Sequence, residues 1–301
     1  MPIVAADDGV PLHVEFDGHP DAPLTVVFTH GFTVQLAEWD LQRRALRGRA
    51  RLVLWDQRGH GRSGWARPRT ATIDRTARDL GAVLDAAAPA GPVVLAGHSM
   101  GGMSIMALAR RRPELFGTRI VGVLLLATSA GGLVQRGLIG RQVKLLRRLG
   151  LLRLWLRLLQ VWAPLLELFR RRGSVWGRWF TRRYLFGADD ADPRLVRRVQ
   201  DMVERTPYPV TAAFYATFLD HDEEAALAVV GRVPVTVVAA THDRLTPAAH
   251  GRLLAERLGS DVELMVVPGA GHSVNITRPE PVNQAFLDLL GRVEHRLRPS
   301  A

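Results

Sequence analysis

Residues 93–109 read Val-Val-Leu-Ala-Gly-His-Ser-Met-Gly-Gly-Met-Ser-Ile-Met-Ala-Leu-Ala. The opening apolar run, bounded by Pro92, has the length and composition of a buried parallel strand. The residues after Ser99 read as a helix that opens on glycines. Between the two, Gly97-His98-Ser99-Met100-Gly101 has the Gly-x-Ser-x-Gly form of a nucleophile elbow, a sharp strand-to-helix turn. Such a turn strains the backbone at the serine, so its neighbours must be small, and Gly97 and Gly101 meet that need. The expectation is a serine hydroxyl at the top of a sheet, facing the positive end of a helix.

Two later runs supply what a nucleophilic serine needs. Val235–Ala240 leads into Thr241-His242-Asp243, and Val262–Val267 leads into Pro268-Gly269-Ala270-Gly271-His272. Each places a useful side chain just past the carboxyl end of a predicted strand, where parallel sheets bind ligands. The chain order is Ser99, Asp243, His272: nucleophile, acid, base. Taken singly, Asp243 reads equally well as a helix cap and His272 as a turn residue; it is the ordered set that carries the signal.

At this point the chain resembles the α/β-hydrolase superfamily, on its serine hydrolase (esterase- or lipase-like) branch. Two further stretches carry the resemblance. Leu24–Thr29 followed by His30-Gly31-Phe32 is similar to the strand and loop that supply half of an oxyanion hole. Leu52–Trp55 followed by Asp56-Gln57-Arg58-Gly59-His60-Gly61-Arg62-Ser63 is similar to the family's next strand and loop, in which Asp56 is structural. One departure stands after His272, where Arg278 takes the place before Pro279 that many relatives give to an acid. The resemblance implies a mostly parallel, eight-stranded α/β fold with an inserted helical cap. It divides the chain into core (1–128), cap (129–225) and core (226–301). It also implies an oxyanion hole made by the backbone N–H groups of Phe32 and Met100.

The composition agrees with a globular chain of one core: 301 residues, 47 % hydrophobic. With no cysteine, disulfides and thiolate metal sites are excluded. The amino terminus has neither the basic start nor the apolar stretch of a secretory signal, so the expected location is cytoplasmic. Ala86 to Ala109 lacks charge, but Pro89, Pro92 and four glycines argue for a buried strand and helix rather than a membrane span.

Charge is unevenly distributed. Between Arg136 and Arg183 lie thirteen basic residues and one acid, Glu167, a local net of +12; the whole chain carries +11. In the stretch 151–160, Arg153, Arg157 and Gln160 share one helical stripe and every other position is Leu or Trp. Gly150 separates this from the basic segment 141–149, and Pro164 is expected to end it. Val175-Trp176-Gly177-Arg178-Trp179-Phe180 adds aromatics, and Asp192-Pro193 begins a helix running to about Arg205. Two readings suit this segment: its Leu and Trp positions cover an apolar cleft, or its basic and apolar faces lie on an anionic membrane surface. Nucleic-acid binding fares worse, because the arginines alternate with leucines and no reader motif occurs.

The resulting expectation is a serine esterase acting on an apolar or lipid-like acyl substrate without metal or cofactor. Trp155, Phe214 and Tyr215 are candidates for its pocket. Other hydrolases of acyl or carbon–carbon bonds, or a cofactor-free perhydrolase or haloperoxidase-like enzyme, share the same motifs. A membrane-associated lipid-binding protein is the non-enzymatic alternative. Asp220, His221 and Asp222 read as a helix-entry cluster rather than a metal site, and His60 and His98 as neighbours of glycine turns.

Overall fold

The computed structural model describes residues 2–133, 141–168, 175–187 and 192–298. Eight runs form strands: β1 (Ile3–Ala5), β2 (Pro11–Gly18), β3 (Thr25–Thr29), β4 (Arg51–Trp55), β5 (Val93–His98), β6 (Ile120–Leu126), β7 (Val235–Ala240) and β8 (Val262–Val267). They make one sheet in the order β1-β2-β4-β3-β5-β6-β7-β8. The two pairings at the β1 edge are antiparallel and all the others are parallel. Strand β5 lies centrally, between β3 and β6.

The inner strands are near-continuous apolar runs because both faces of the sheet are covered. Alternate residues of β5 point to opposite cores: Val93 and Leu95 to one, Val94 and Ala96 to the other. The first core is closed by α2 (Ile73–Ala87) and α3 (Met100–Arg111). The second is closed by a short helix α1 (Asp40–Leu46) and by the long carboxyl-terminal helix Pro279–Leu297. That last helix buries Val282, Phe286, Leu289 and Val293, a spacing of three or four that keeps one face on the sheet. Each such side chain contributes about 1.5–3 kcal/mol by leaving water, so the sheet and its helices form a rigid platform for whatever stands at its edge.

Between β6 and β7 the described chain carries α4 (Arg141–Arg148), α5 (Leu152–Leu168), α6 (Val175–Phe180), α7 (Pro193–Arg205) and α8 (Tyr208–Leu219). A π-helical turn, Thr181–Phe186, follows α6. Gly150 sits at φ 70° between α4 and α5, a left-handed position that glycine takes without strain. Asp192 caps α7 as expected, its Oδ1 accepting the N–H of Arg194 at 2.8 Å. Pro164 does not end its helix: α5 continues to Leu168 with the proline inside it. The missing N–H leaves the carbonyl of Gln160 without its usual helical partner. Helix α5 packs on α8, which sends Val210, Ala213 and Phe214 into the first core.

Candidate active site

The sharp turn predicted at Ser99 is present. Ser99 has φ 50° and ψ −114°, a positive φ rare for a residue with a side chain. Its N–H is fixed by the carbonyl of Leu126 at 2.9 Å. A Cβ on Gly101 would stand 2.1 Å from the carbonyl oxygen of Thr29, and one on Gly97 would stand 2.6 Å from the nitrogen of Gly102. Neither place admits a side chain, so the two glycines are required by close approach.

Three loops at the carboxyl ends of β5, β7 and β8 bring Ser99, Asp243 and His272 together. Ser99 Oγ lies 2.9 Å from His272 Nε2, and His272 Nδ1 lies 2.8 Å from Asp243 Oδ2. A carboxylate only accepts, so Nδ1 carries the hydrogen and Nε2 is free to accept from the serine. Asp243 Oδ1 accepts the backbone N–H groups of Leu245 and Thr246, at 2.8 and 2.9 Å. The hydroxyl of Thr246 stands 2.8 Å from both Asp243 Oδ2 and the carbonyl of Ala127. Burial works to raise the Asp243 carboxyl, but the charge of His272 and the hydrogen bonds from His272 and Thr246 outweigh it and hold it below its ordinary range. All three side chains are buried, with Ser99 keeping 9 % of its surface.

The loop after β3 lies against the elbow. A Cβ on Gly31 would stand 2.7 Å from His98 Nδ1 and 3.5 Å from Ser99 Cβ. Met100 is the first residue of α3, so its N–H is one of the unpaired donors at a helix start. Phe32 follows Gly31 directly and precedes Thr33, at φ 61°. Below this loop Asp56 is structural, its two oxygens accepting the N–H groups of Leu36 at 2.8 Å and Arg62 at 2.9 Å. Arg58, fully buried, grips both oxygens of Asp79 at 2.5 and 2.6 Å.

An aromatic cluster surrounds Phe32. The rings of Phe214, Tyr215 and Phe218 lie 5.8, 5.9 and 5.0 Å from it, and the ring of His60 lies 5.8 Å away. Phe214 and Tyr215 thus both lie against the loop, Phe214 fully buried in the first core and Tyr215 40 % exposed. Among the described residues no ring contact joins Trp155 to this cluster; it lies on α5 off the stripe of Leu152, Leu156 and Ala163 that turns inward. Phe218 was missed, although its place one helical turn beyond Phe214 was a usable signal. Thr246 and the pair Glu38–His98 were missed as well, and no motif marks them. His221 lies with Nε2 3.0 Å from the carbonyl of Ser129, and the described residues contain no cluster suited to a metal.

With this geometry in view, residues 26–285 match the alpha/beta hydrolase family, and the chain belongs to that family. It is 37 % identical over 110 residues to EphD of Mycobacterium tuberculosis, named as a probable oxidoreductase; the match takes in 36 % of this chain and only 18 % of that one. It is 29 % identical over 286 residues to a Variovorax paradoxus protein named as a carbamate hydrolase, RutD, spanning 94 % of this chain and 97 % of that one. The crystal structure of an enol-lactonase from Burkholderia xenovorans superposes with a TM-score of 0.76 at 26 % identity, covering 96 % and 100 % of the two chains.

Proposed function

We propose that this protein is a serine hydrolase that cleaves carboxylic esters with an apolar acyl chain. The observation that carries the reading is the relay from Ser99 Oγ through His272 to Asp243, at 2.9 and 2.8 Å, on a strained elbow. Ser99 attacks the ester carbonyl while His272 Nε2 takes its proton, and Asp243 stabilises the imidazolium formed. The oxyanion of the tetrahedral intermediate is met by the N–H groups of Phe32 and Met100, donors whose loss typically costs about 3 kcal/mol. Collapse breaks the bond to the alcohol, which leaves with the proton from His272. Water, deprotonated by His272, then attacks the acyl-enzyme; the acid is released and Ser99 recovers its proton.

Phe32, Tyr215 and Phe218, which keep exposed surface over the buried Phe214, support an apolar acyl group beside the oxyanion loop. The enol-lactonase, by its name, acts on an ester within a ring, which favours ester over carbon–carbon chemistry. The test is the rate of hydrolysis of p-nitrophenyl esters of increasing acyl length, by wild type and Ser99→Ala. Turnover that requires Ser99 and rises toward medium or long chains is expected. Rapid cleavage by Ser99→Ala overturns the mechanism. Activity confined to acetate overturns the apolar acyl group, and no cleavage of any ester passes the nucleophile to the amide, carbon–carbon or peracid reactions of this fold.

A second reading concerns where the enzyme works. Helix α5 turns Leu154, Leu158, Val161, Trp162 and Leu165 to the surface, with Val161 72 % and Trp162 55 % exposed. Exposed Arg153 and Arg157 flank that face, and Leu145, Leu149, Trp179 and Phe180 extend the apolar surface. The occupant we assign to it is a bilayer surface carrying anionic headgroups, which complements both the apolar face and the +12 of residues 136–183. A second copy of the chain would set two such positive faces against each other. Among the described residues no helix is long and apolar enough to cross a membrane. Arg136, Arg170, Arg171 and Arg172, which contribute to that charge, lie outside the described residues. Sedimentation with phosphatidylglycerol vesicles, but not with phosphatidylcholine vesicles, is expected. Equal binding to both, or a dimer in lipid-free solution that buries α5, overturns this assignment.

A further inference from the structure

Behind the triad lies a second buried histidine that the mechanism above leaves idle. His98, the last residue of β5, is enclosed together with Glu38, which lies in the turn after the β3 loop. His98 Nδ1 stands 2.9 Å from Glu38 Oε2, and His98 Nε2 stands 3.1 Å from the backbone carbonyl of His272. The other carboxylate oxygen, Oε1, accepts the N–H of Gly31 at 2.8 Å. The backbone carbonyl of Glu38 accepts Asn275 Nδ2 at 3.1 Å, three residues beyond His272.

A carbonyl oxygen does not donate, so His98 Nε2 carries a hydrogen. One further proton lies between His98 Nδ1 and Glu38 Oε2; placed on the ring, it makes an imidazolium facing a carboxylate. We propose that Glu38 and His98 form a buried ion pair that positions the catalytic machinery, joining the oxyanion loop at Gly31 to the loop of His272 and placing a fixed charge behind the base. This rests on the assignment of His272 as base made above.

Burial opposes the charge on His98, but the Glu38 charge and hydrogen bond outweigh it, with smaller help from the His272 carbonyl and Asp243, and raise it above its ordinary value. The rings of His98 and His272 lie 4.9 Å apart. Protonation of His272 therefore brings a second positive charge against the first. The groups that face His272 are Asp243 on Nδ1, Ser99 on Nε2, Thr246 at 3.3 Å from Nδ1, and the His98–Glu38 pair behind the ring. Of the other charged groups of these loops, His242 is exposed and Arg244 is half-buried. Glu38 lies beyond His98 and offsets only part of the repulsion.

Glu38→Gln isolates the charge from the scaffold. The amide oxygen keeps the Gly31 N–H, the amide NH2 donates to His98 Nδ1, and neutral His98 keeps Nε2–H for the His272 carbonyl. Every hydrogen bond survives and both charges vanish. The readout is the rate at which a fluorophosphonate labels Ser99 as a function of pH, which needs no knowledge of the substrate. In Glu38→Gln the acid limb of that profile is expected to move up by about one pH unit, with the plateau near that of the wild type. His98→Leu, which also removes the link to the His272 carbonyl, is expected to lower the plateau by roughly tenfold or more.

An unmoved limb in Glu38→Gln, with or without a uniform loss of rate, is the behaviour of a mere structural brace and overturns the proposal. A wild type that labels at Ser99 but cleaves no ester sinks the substrate assignment alone, because the two limbs remain comparable. NMR titration of the His272 ring in both proteins reads the same shift with neither probe nor substrate, and equal titrations there would be as decisive against it.

Discussion

Asp243 is buried with every oxygen engaged, and its depressed carboxyl shows that its partners outweigh its burial. A carboxylate lowered on folding stabilises the fold at pH values above its unfolded range, and that contribution is lost as pH falls through the folded value. Near neutrality Asp243 is thus present as the anion that a protonated His272 requires. Asp243→Asn retains the shape but no longer fixes the useful tautomer, and kcat is expected to fall by roughly 10^4-fold with the fold retained. Thr246→Val probes the hydroxyl that touches both Asp243 and Ala127. A loss of about tenfold in kcat is expected, together with about 1–2 kcal/mol of stability; unchanged kinetics would show that the backbone donors alone hold the carboxylate. His60 is depressed as well, but by its burial rather than in spite of it. Burial, aided by the nearby His30, pushes it down to about 3 from 6.5. The unfolded chain therefore takes up a proton that the folded chain refuses as pH falls from 6.5 toward 3, and stability declines across that window by roughly 1 kcal/mol per pH unit. Urea unfolding of His60→Gln at several pH values should show that component of the slope removed.

At the level of elements, the strands were legible because each core strand is a near-continuous apolar run with a turn at its end. Once β5, β7 and β8 are placed, Ser99, Asp243 and His272 fall at one edge of the sheet by geometry alone. Glu38 was not legible, since it reaches the site from a turn 60 residues before His98 and carries no motif. Thr246 was hidden for a related reason, as its role depends on a side chain folding back on Asp243. The helices between β6 and β7 were legible in phase rather than in extent. Leu152, Leu156 and Ala163 turn inward at helical spacing, yet Pro164 did not stop α5, whose packing on α8 holds the helix through it. Its cost should nonetheless be present. Pro164→Ala restores one helical hydrogen bond on an exposed turn and is expected to raise Tm by several degrees, from about 1–3 kcal/mol, without altering hydrolysis of a short soluble ester. An unchanged Tm would mean that α5 unfolds apart from the core.

Across the whole molecule, chemistry and charge are segregated. The triad stands on the rigid sheet, while the segment from Arg136 to Arg183 alone exceeds the net charge of the entire chain, leaving the remainder at −1. Long-range attraction to an anionic surface would then orient the enzyme with that segment foremost. It would be screened over about 8 Å at physiological salt and over about 3 Å at 1 M. Docking and catalysis should therefore separate experimentally. The combined replacement of Arg147, Arg148, Arg153 and Arg157 by Gln removes four exposed charges and leaves Ser99, Asp243, His272 and the Phe32 cluster untouched. On a short ester dissolved in buffer, the variant should match the wild type at every salt concentration. On a long-chain ester presented in phosphatidylglycerol vesicles it should be slower at low salt, by up to roughly a thousandfold where vesicle binding limits the rate, at about 1 kcal/mol of surface attraction for each of the four arginines, and the difference should close as salt rises. Equal rates on vesicles at low salt would show that the charge serves no lipid surface, and a loss on the dissolved ester would show that these arginines act within the site instead.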